Sequence, residues 1–298
     1  MIGVSEVTNE KEIIFPEVAA LVIGGLILDK QPWKVRRMKM ILLMTYAAII
    51  GVLIVRVLAV PLIFKVAFGF VSTAFMLILT RCNFLPMLSA CILPIIMETT
   101  SIIYPISVCV MTVVMICVQV IFGITNVREK EIYYEYSMNL KLELKRFTYI
   151  LIVILALLLI GALSDNIYLI APPLIVTFVE LTYEDSKARK IPLKIFTVVT
   201  LAAWVGVLIS LIVTIKMGQP LIVSGLLITS AAIFIFTKSR VWFPPAGAIA
   251  LLPLIIDSNK LLVYALDVMI GVGIYISAAT HLEFNLGLNE SEEKLVIK

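Results

Sequence analysis

Residues 102–124 read IIYPISVCVMTVVMICVQVIFGI, an apolar run that contains no charged side chain. A helix of about 20 apolar residues is long enough to cross the ~30 Å hydrocarbon core of a bilayer. Comparable runs occupy residues 40–64, 147–163, 195–215 and 261–280. These stretches predict an all-α polytopic membrane protein.

The composition of the whole chain supports the same class. Of its 298 residues, 61% are apolar and only 15% are charged, and the mean hydropathy is +1.10. Soluble chains carry about 25% charged residues. We therefore exclude a cytosolic enzyme, a disordered tail, a disulfide scaffold and a DNA-binding module. The lipid bilayer is the expected surrounding, and no nucleic-acid partner is expected.

Six further apolar runs are too short or too interrupted to cross a bilayer comfortably. Several contain proline at or near their start. Short, proline-interrupted segments at membrane depth are typical of broken helices that line a cavity. The runs are residues 16–28, 66–80, 84–97, 172–183, 221–237 and 243–256.

The order of long and short runs repeats along the chain. Residues 16–34 match 172–190, residues 50–54 match 205–209, and residues 81–99 match 240–258, with nearly constant offsets. We predict two parallel membrane repeats, residues 1–125 and 165–298. Residues 126–164 would supply a cytoplasmic, interfacial linker and one connecting transmembrane helix, which restores the orientation of the second repeat.

The basic residues predict an orientation. If all eleven runs cross, nineteen of the 24 Lys and Arg residues fall on one side and only four on the other. Because cytoplasmic loops are enriched in Lys and Arg, we expect a cell-membrane protein with its N-terminus outside and its C-terminus in the cytoplasm. The rival topology treats the proline-led runs as re-entrant and has seven crossings. It ranks second because it places residues 126–146, with five basic residues, outside.

The sequence offers little for catalysis. It has a single histidine, His281, at the end of the last run, and it lacks a Ser-His-Asp set, a cluster of His or Cys ligands and paired carboxylates within a run. Acid-base and metal chemistry therefore have no evident residues. We expect neither an enzyme nor a cofactor or metal.

The proline-led runs offer a binding site instead. A helix N-terminus carries unpaired N–H groups and a partial positive charge, so it holds an anion without a basic side chain. Proline in the first turn favours such a start, although the same residues also serve simply to break helices for packing. The candidate substrate-binding residues are Pro16, Pro86, Ser89, Pro172, Pro173, Pro244, Pro245, Ala246, Gly247 and Ala248.

Residues 243–252, FPPAGAIALL, resemble the His-Pro-Pro-Ala-Gly-Ala-Thr-Ala signature of the HPP family of integral membrane proteins. Some members of that family are nitrite transporters, so the resemblance implies transport of a small anion. The family's histidine is Phe243 here and its threonine is Ile249. With both polar side chains of the motif absent, the substrate need not be nitrite.

Charged residues within the runs are further candidates because charge is costly there. Arg56 and Asp267 lie at similar depths in different halves, and we expect an ion pair that serves as a latch or in transport. Glu180 is a candidate acceptor for a coupling proton. Glu17, next to Pro16, is expected to cap its helix.

These observations together predict a secondary transporter that holds a small anion, nitrite-like or a small carboxylate, near the membrane midplane. A membrane scaffold or sensory subunit without transport, or an anion channel, remains the alternative. The identity of the substrate, the coupling ion and the number of subunits stay open, and a homo-oligomer is compatible with the sequence.

Overall fold

The computed structural model describes residues 1–125, 127, 136, 138–164 and 166–286, and all regular structure in this part of the chain is helical. In chain order the α-helices are α1 (Ile2–Thr8), α2 (Glu17–Val22), α3 (Arg37–Val57), α4 (Leu62–Thr80), α5 (Pro86–Ile96), α6 (Ile103–Ile124), α7 (Leu140–Ser164), α8 (Pro172–Thr182), α9 (Pro192–Ile209), α10 (Leu221–Ser239), α11 (Pro244–Leu251) and α12 (Leu261–Leu286). A π-helical turn, Ile23–Ile27, extends α2, and another, Ser210–Lys216, extends α9.

Seven helical stretches of the described chain are long and apolar enough to cross a membrane. They are Arg37–Val57, Leu62–Thr80, Ile103–Ile124, Leu140–Leu163, Pro192–Lys216, Leu221–Ser239 and Ser258–Leu282. The chain is therefore an all-helical integral membrane protein.

Two of the seven correct the expectation from sequence. Helices α4 and α10 were predicted to be too short, but each has 19 residues. The predicted run 66–80 begins after Lys65, and the predicted run 221–237 ends before Lys238. Helix α4 includes Lys65 and helix α10 includes Lys238. A lysine near a helix end is tolerated because its long side chain reaches the membrane surface.

Proline sets the start of three of the short helices. Helices α5, α8 and α11 each have proline at the first helical position, where a missing N–H costs no intrahelical bond. Nearly every residue of these three helices is buried, whereas only 28–44% of each spanning window is. The short helices thus form the interior, and the long helices surround them.

The interior helices pack across the two halves of the chain. Helix α2 of the first half contacts α11 of the second, and α8 of the second contacts α5 of the first. Helix α2 also contacts α5, and α8 contacts α11. The four short helices therefore meet at one central junction.

The same close packing recurs in both halves. A Cβ added to Gly51 of α3 would lie 2.3 Å from the backbone oxygen of Cys91 in α5. A Cβ added to Gly206 of α9 would lie 2.2 Å from the backbone oxygen of Ala250 in α11. At both places the absence of a side chain lets the spanning helix touch the short helix.

Candidate functional site at the junction of the short helices

A small buried cavity lies where the four short helices meet. Its volume, taken as the space open to the centre of a water molecule, is about 10 Å³, which is room for about one water. The lining combines residues near the starts of all four helices with Trp33 and with Glu180 from the last turn of α8: Glu17, Ala20, Trp33, Pro86, Ser89, Pro173, Val176, Glu180, Pro244, Pro245 and Ala248.

Each short helix presents the same face to the cavity. The lining pairs are Glu17 with Ala20, Pro86 with Ser89, Pro173 with Val176, and Pro245 with Ala248. Residues three apart lie on one face of a helix. The four helix starts therefore converge on the cavity in equivalent ways, although only Glu17 and Ser89 among these eight residues bring a polar side chain.

The structure brings together six of the ten residues predicted to bind substrate: Pro86, Ser89, Pro173, Pro244, Pro245 and Ala248 line the cavity. Glu180, the predicted acceptor of a coupling proton, lines it as well. Pro16, Pro172, Ala246 and Gly247 do not contribute to its wall.

Gly247 packs closely against the first half of the chain. A Cβ at this position would lie 2.5 Å from Cδ1 of Ile23, in the π-helical turn after α2. The glycine therefore allows α11 to approach the first half of the chain closely.

The predicted ion pair between Arg56 and Asp267 does not form in this structure. The Arg56 Nε donates a hydrogen bond to the backbone oxygen of Thr100, 2.5 Å away, at the end of α3. Asp267 is buried in α12, and its Oδ2 has no hydrogen-bond partner. Equal depth in the sequence was a poor guide because it does not specify which way a side chain points around its helix.

Glu17 occupies the cavity wall, whereas the sequence predicted a helix cap. No side-chain cap bond forms at α2. Instead the hydroxyl of Ser89 donates a hydrogen bond to Oε1 of Glu17, and Oε2 has no partner among the described residues. The side chain is 1% exposed. The signal available in the sequence was an acidic residue inside a proline-led run, the same signal that singled out Glu180.

The helix starts at the junction have few free donors for an anion. Proline has no N–H, and the next N–H groups are already bonded: Val18 to Phe15, Met87 to Phe84, Leu174 to Ala171 and Ala246 to Phe243. Neither Lys nor Arg lines the cavity. Its ionisable side chains are two carboxyl groups.

A second buried polar group lies at the end of α8. Glu143 and Arg146 of α7 form an ion pair at 2.5 Å, with both side chains 3% exposed. The Arg146 guanidinium lies 4.3 Å from the ring centre of Tyr183, the residue that follows α8. The hydroxyl of Tyr136 donates to Oε1 of Glu143 at 3.1 Å. We call these four residues the Arg146 cluster.

Sequence reasoning missed the Arg146 cluster because it assigned residues 126–146 as a whole to an interfacial linker. Part of that linker, residues 126, 128–135 and 137, lies outside the described residues. Residues 140–146 instead form the first turns of α7, and Glu143 and Arg146 lie on its buried face.

Comparison with protein-family models, with curated proteins and with solved structures found no match to this chain. The resemblance of residues 243–252 to the HPP signature therefore stays a prediction.

Proposed function

We propose that this chain is a secondary transporter that moves a small solute by motion of one half against the other, with the solute bound at the central junction. The observation that carries the proposal is the cavity that both halves build with two carboxyl groups, Glu17 and Glu180. Ionisable groups at membrane depth are costly, and among their roles are substrate and ion pathways and proton relays.

The proposed architecture is two parallel repeats, residues 1–125 and 165–298, with eleven crossings. Recurring contacts support it. Besides the two glycine contacts, the hydroxyl of Tyr104 donates to the backbone oxygen of Ala90 at 2.9 Å, and that of Tyr264 donates to Ile249 at 2.7 Å. The two tyrosine hydrogen bonds occupy equivalent positions in the two proposed repeats.

Contacts at the helix ends support full crossing by the short helices. Before α5, the Asn83 side chain accepts a hydrogen bond from the Lys34 backbone, just ahead of α3. After α5, the backbone oxygen of Thr100 accepts a hydrogen bond from the Arg56 side chain at the other end of α3. Because α3 spans the membrane length, the chain between residues 83 and 100 runs from one end of α3 to the other.

Cysteine labelling tests the topology. In intact cells, we expect a membrane-impermeant maleimide to label Lys260→Cys and to leave Lys141→Cys unlabelled until the cells are permeabilised. The reason is that eleven crossings with the N-terminus outside place residue 260 outside and residue 141 in the cytoplasm. The parent protein, with its four native cysteines, supplies the background. Labelling of Lys141→Cys in intact cells would overturn this topology and favour seven crossings.

The lining restricts the form in which a small anion is carried. A bare anion beside two ionised carboxylates would meet repulsion in a medium of low dielectric constant, without a basic side chain to offset it. A nitrite-like anion or a small carboxylate is therefore proposed to bind only together with protons on Glu17 and Glu180.

One observation favours a second substrate class. Two carboxyl groups and the indole ring of Trp33 share the wall, and carboxylates and aromatic faces both attract cations. The second candidate function is exchange of a small cation for protons.

Proteoliposomes with a pH dye in their lumen separate the two candidates by the sign of the response. Nitrite, nitrate and formate added outside should acidify the lumen faster than in protein-free vesicles if anions enter with protons. Methylammonium, choline and sodium should make the lumen more alkaline if cations exchange for protons. No response beyond the protein-free vesicles with any of these solutes would remove the transport proposal.

A matched pair of variants assigns the response to the junction. Ser89→Ala removes the hydroxyl bonded to Glu17 and should slow the response about tenfold, equivalent to roughly one hydrogen bond of about 1.4 kcal/mol. Ser230→Ala, on the exposed face of α10, should leave the rate unchanged. An undiminished rate in Ser89→Ala would place the solute elsewhere.

A nearly closed cavity is also compatible with the alternative function, a scaffold or sensory subunit that does not transport. A scaffold, however, gives no reason to bury two carboxyl groups at a helix junction, because replacement by apolar side chains would stabilise it. We therefore prefer a transporter with its central site closed.

A further inference from the structure

We propose that Glu17 and Glu180 together form the coupling-ion site of this protein, and that the ion is the proton. The inference rests on the proposed transport function and deepens it by naming the ion and both of its acceptors. Each half of the chain supplies one carboxyl group to the same cavity.

The hydrogen bonds of Glu17 leave one acceptor position open. Ser89 donates to Oε1, while Oε2 has no hydrogen-bond partner among the described residues. A fully buried carboxylate oxygen without a donor is strongly unfavourable. Binding a proton at Oε2 forms an O–H bond and removes the negative charge, and release of the proton restores the carboxylate.

Glu180 lies between the cavity and the Arg146 cluster along α8. It is seven residues after Pro173, on the same cavity-lining face, and three residues before Tyr183 of the cluster. Its carboxyl group makes no hydrogen bond or ion pair with the residues that the structure describes, whereas its backbone oxygen accepts a bond from the Tyr183 N–H. A proton released from the junction towards the Arg146 cluster therefore meets Glu180 next.

The polar atoms of the cavity favour a proton over a metal ion. Among the described residues, the only side-chain oxygens in its wall are those of Glu17, Ser89 and Glu180, whereas a hard cation such as Ca²⁺ takes about six or more oxygen ligands. Within the part of the chain that the structure describes, no group of three or more His, Cys, Asp or Glu residues is placed to hold a metal ion.

The other buried titratable groups on the elements packed against α2 and α8 are mostly engaged in bonds of their own. Tyr104 and Tyr264 donate to backbone oxygens, and Arg146 pairs with Glu143. The remaining groups are Cys91, Tyr149, Tyr168, Asp267 and Tyr275, and none of them lines the cavity. Protonation changes at the junction therefore fall on Glu17 and Glu180.

Infrared difference spectroscopy of the full-length protein in lipid tests this inference without a substrate. On stepping from about pH 8 to about pH 5, across the range in which a buried carboxyl group gains its proton, we expect a band from protonated carboxyl groups in an apolar environment. Glu17→Gln and Glu180→Gln should each lower its intensity, and the double variant should leave only the part contributed by Asp267, the other buried carboxyl group with an unpaired oxygen in the described part of the chain, which Asp267→Asn removes. Glu184→Gln, an exposed residue close to Glu180 in the chain, should leave the band intact.

The single change Ser89→Ala keeps the test informative if a glutamine variant fails to fold. It leaves both carboxyl groups in place and should shift the frequency of the Glu17 band, because it removes the donor to Oε1. A wild-type spectrum without such a band, or a band that none of these changes affects, would overturn the proton site.

A different combination of results would reject the transport function alone. A band that behaves as expected, together with vesicles that respond to none of the solutes above, would retain protonation of the pair and reject its role in coupling.

Discussion

Arg146→Met is expected to lower the free energy of unfolding by about 3–5 kcal/mol. Removing one partner of a buried ion pair leaves an uncompensated charge, and the cost is typically of this size. Here the remaining charge is Glu143, whose side chain is 3% exposed. The stacking of the guanidinium on Tyr183 is lost as well. Denaturant unfolding in mixed micelles, followed by circular dichroism, measures the change.

The neighbouring residue offers a matched control. Lys145→Met removes a positive charge one position earlier on the exposed face of α7 and should change stability by less than about 0.5 kcal/mol. The double variant Glu143→Gln with Arg146→Met should recover most of the loss, since no buried charge then remains. If Arg146→Met were as stable as Lys145→Met, the ion pair would not be buried as described.

Gly206→Ala is expected to destabilise the protein by about 2–3 kcal/mol, and Gly51→Ala by a similar amount. The added Cβ would lie 2.2 Å from a backbone oxygen of α11 in one case and 2.3 Å from one of α5 in the other. Backbone atoms within a packed helix have little freedom to move aside, and overpacking costs about 1–3 kcal/mol. Thermal unfolding in detergent compares the variants with the parent.

Gly123→Ala serves as the control because no atom of the described residues lies within 4 Å of its added Cβ. Since alanine favours a helix over glycine by about 1 kcal/mol, this variant should be as stable as the parent or slightly more so. The diagnostic result is a change in stability of opposite sign for Gly123→Ala and Gly206→Ala. Equal effects at both positions would contradict the close contact between α9 and α11.

The class of the fold follows from the sequence because burial in a bilayer is a composition-wide requirement. Long apolar runs predicted α3, α6, α7, α9 and α12, and the structure confirms each as a helix of spanning length. The proline positions also predicted where α5, α8 and α11 begin, since proline is well tolerated only in the first turn of a helix.

The site was harder to predict because its side chains meet through tertiary packing. The sequence indicated Glu180, Ser89 and the prolines, but the hydrogen bond between Ser89 and Glu17 joins residues 72 positions apart. The expected pairing of Arg56 with Asp267 was wrong because depth in a membrane leaves the rotation of each helix undetermined.

The contact between α2 and α11 has a consequence for biosynthesis. Helix α2 leaves the ribosome well before α11, because the whole of α3 to α10 lies between them in the chain. Until α11 is inserted, the buried carboxyl group of Glu17 and the glycine-rich turn after α2 lack part of their final packing. Closure of the interior therefore waits for the synthesis of α11, and a nascent chain that stalls before residue 244 would leave an ionisable group facing an unfinished interior in the membrane.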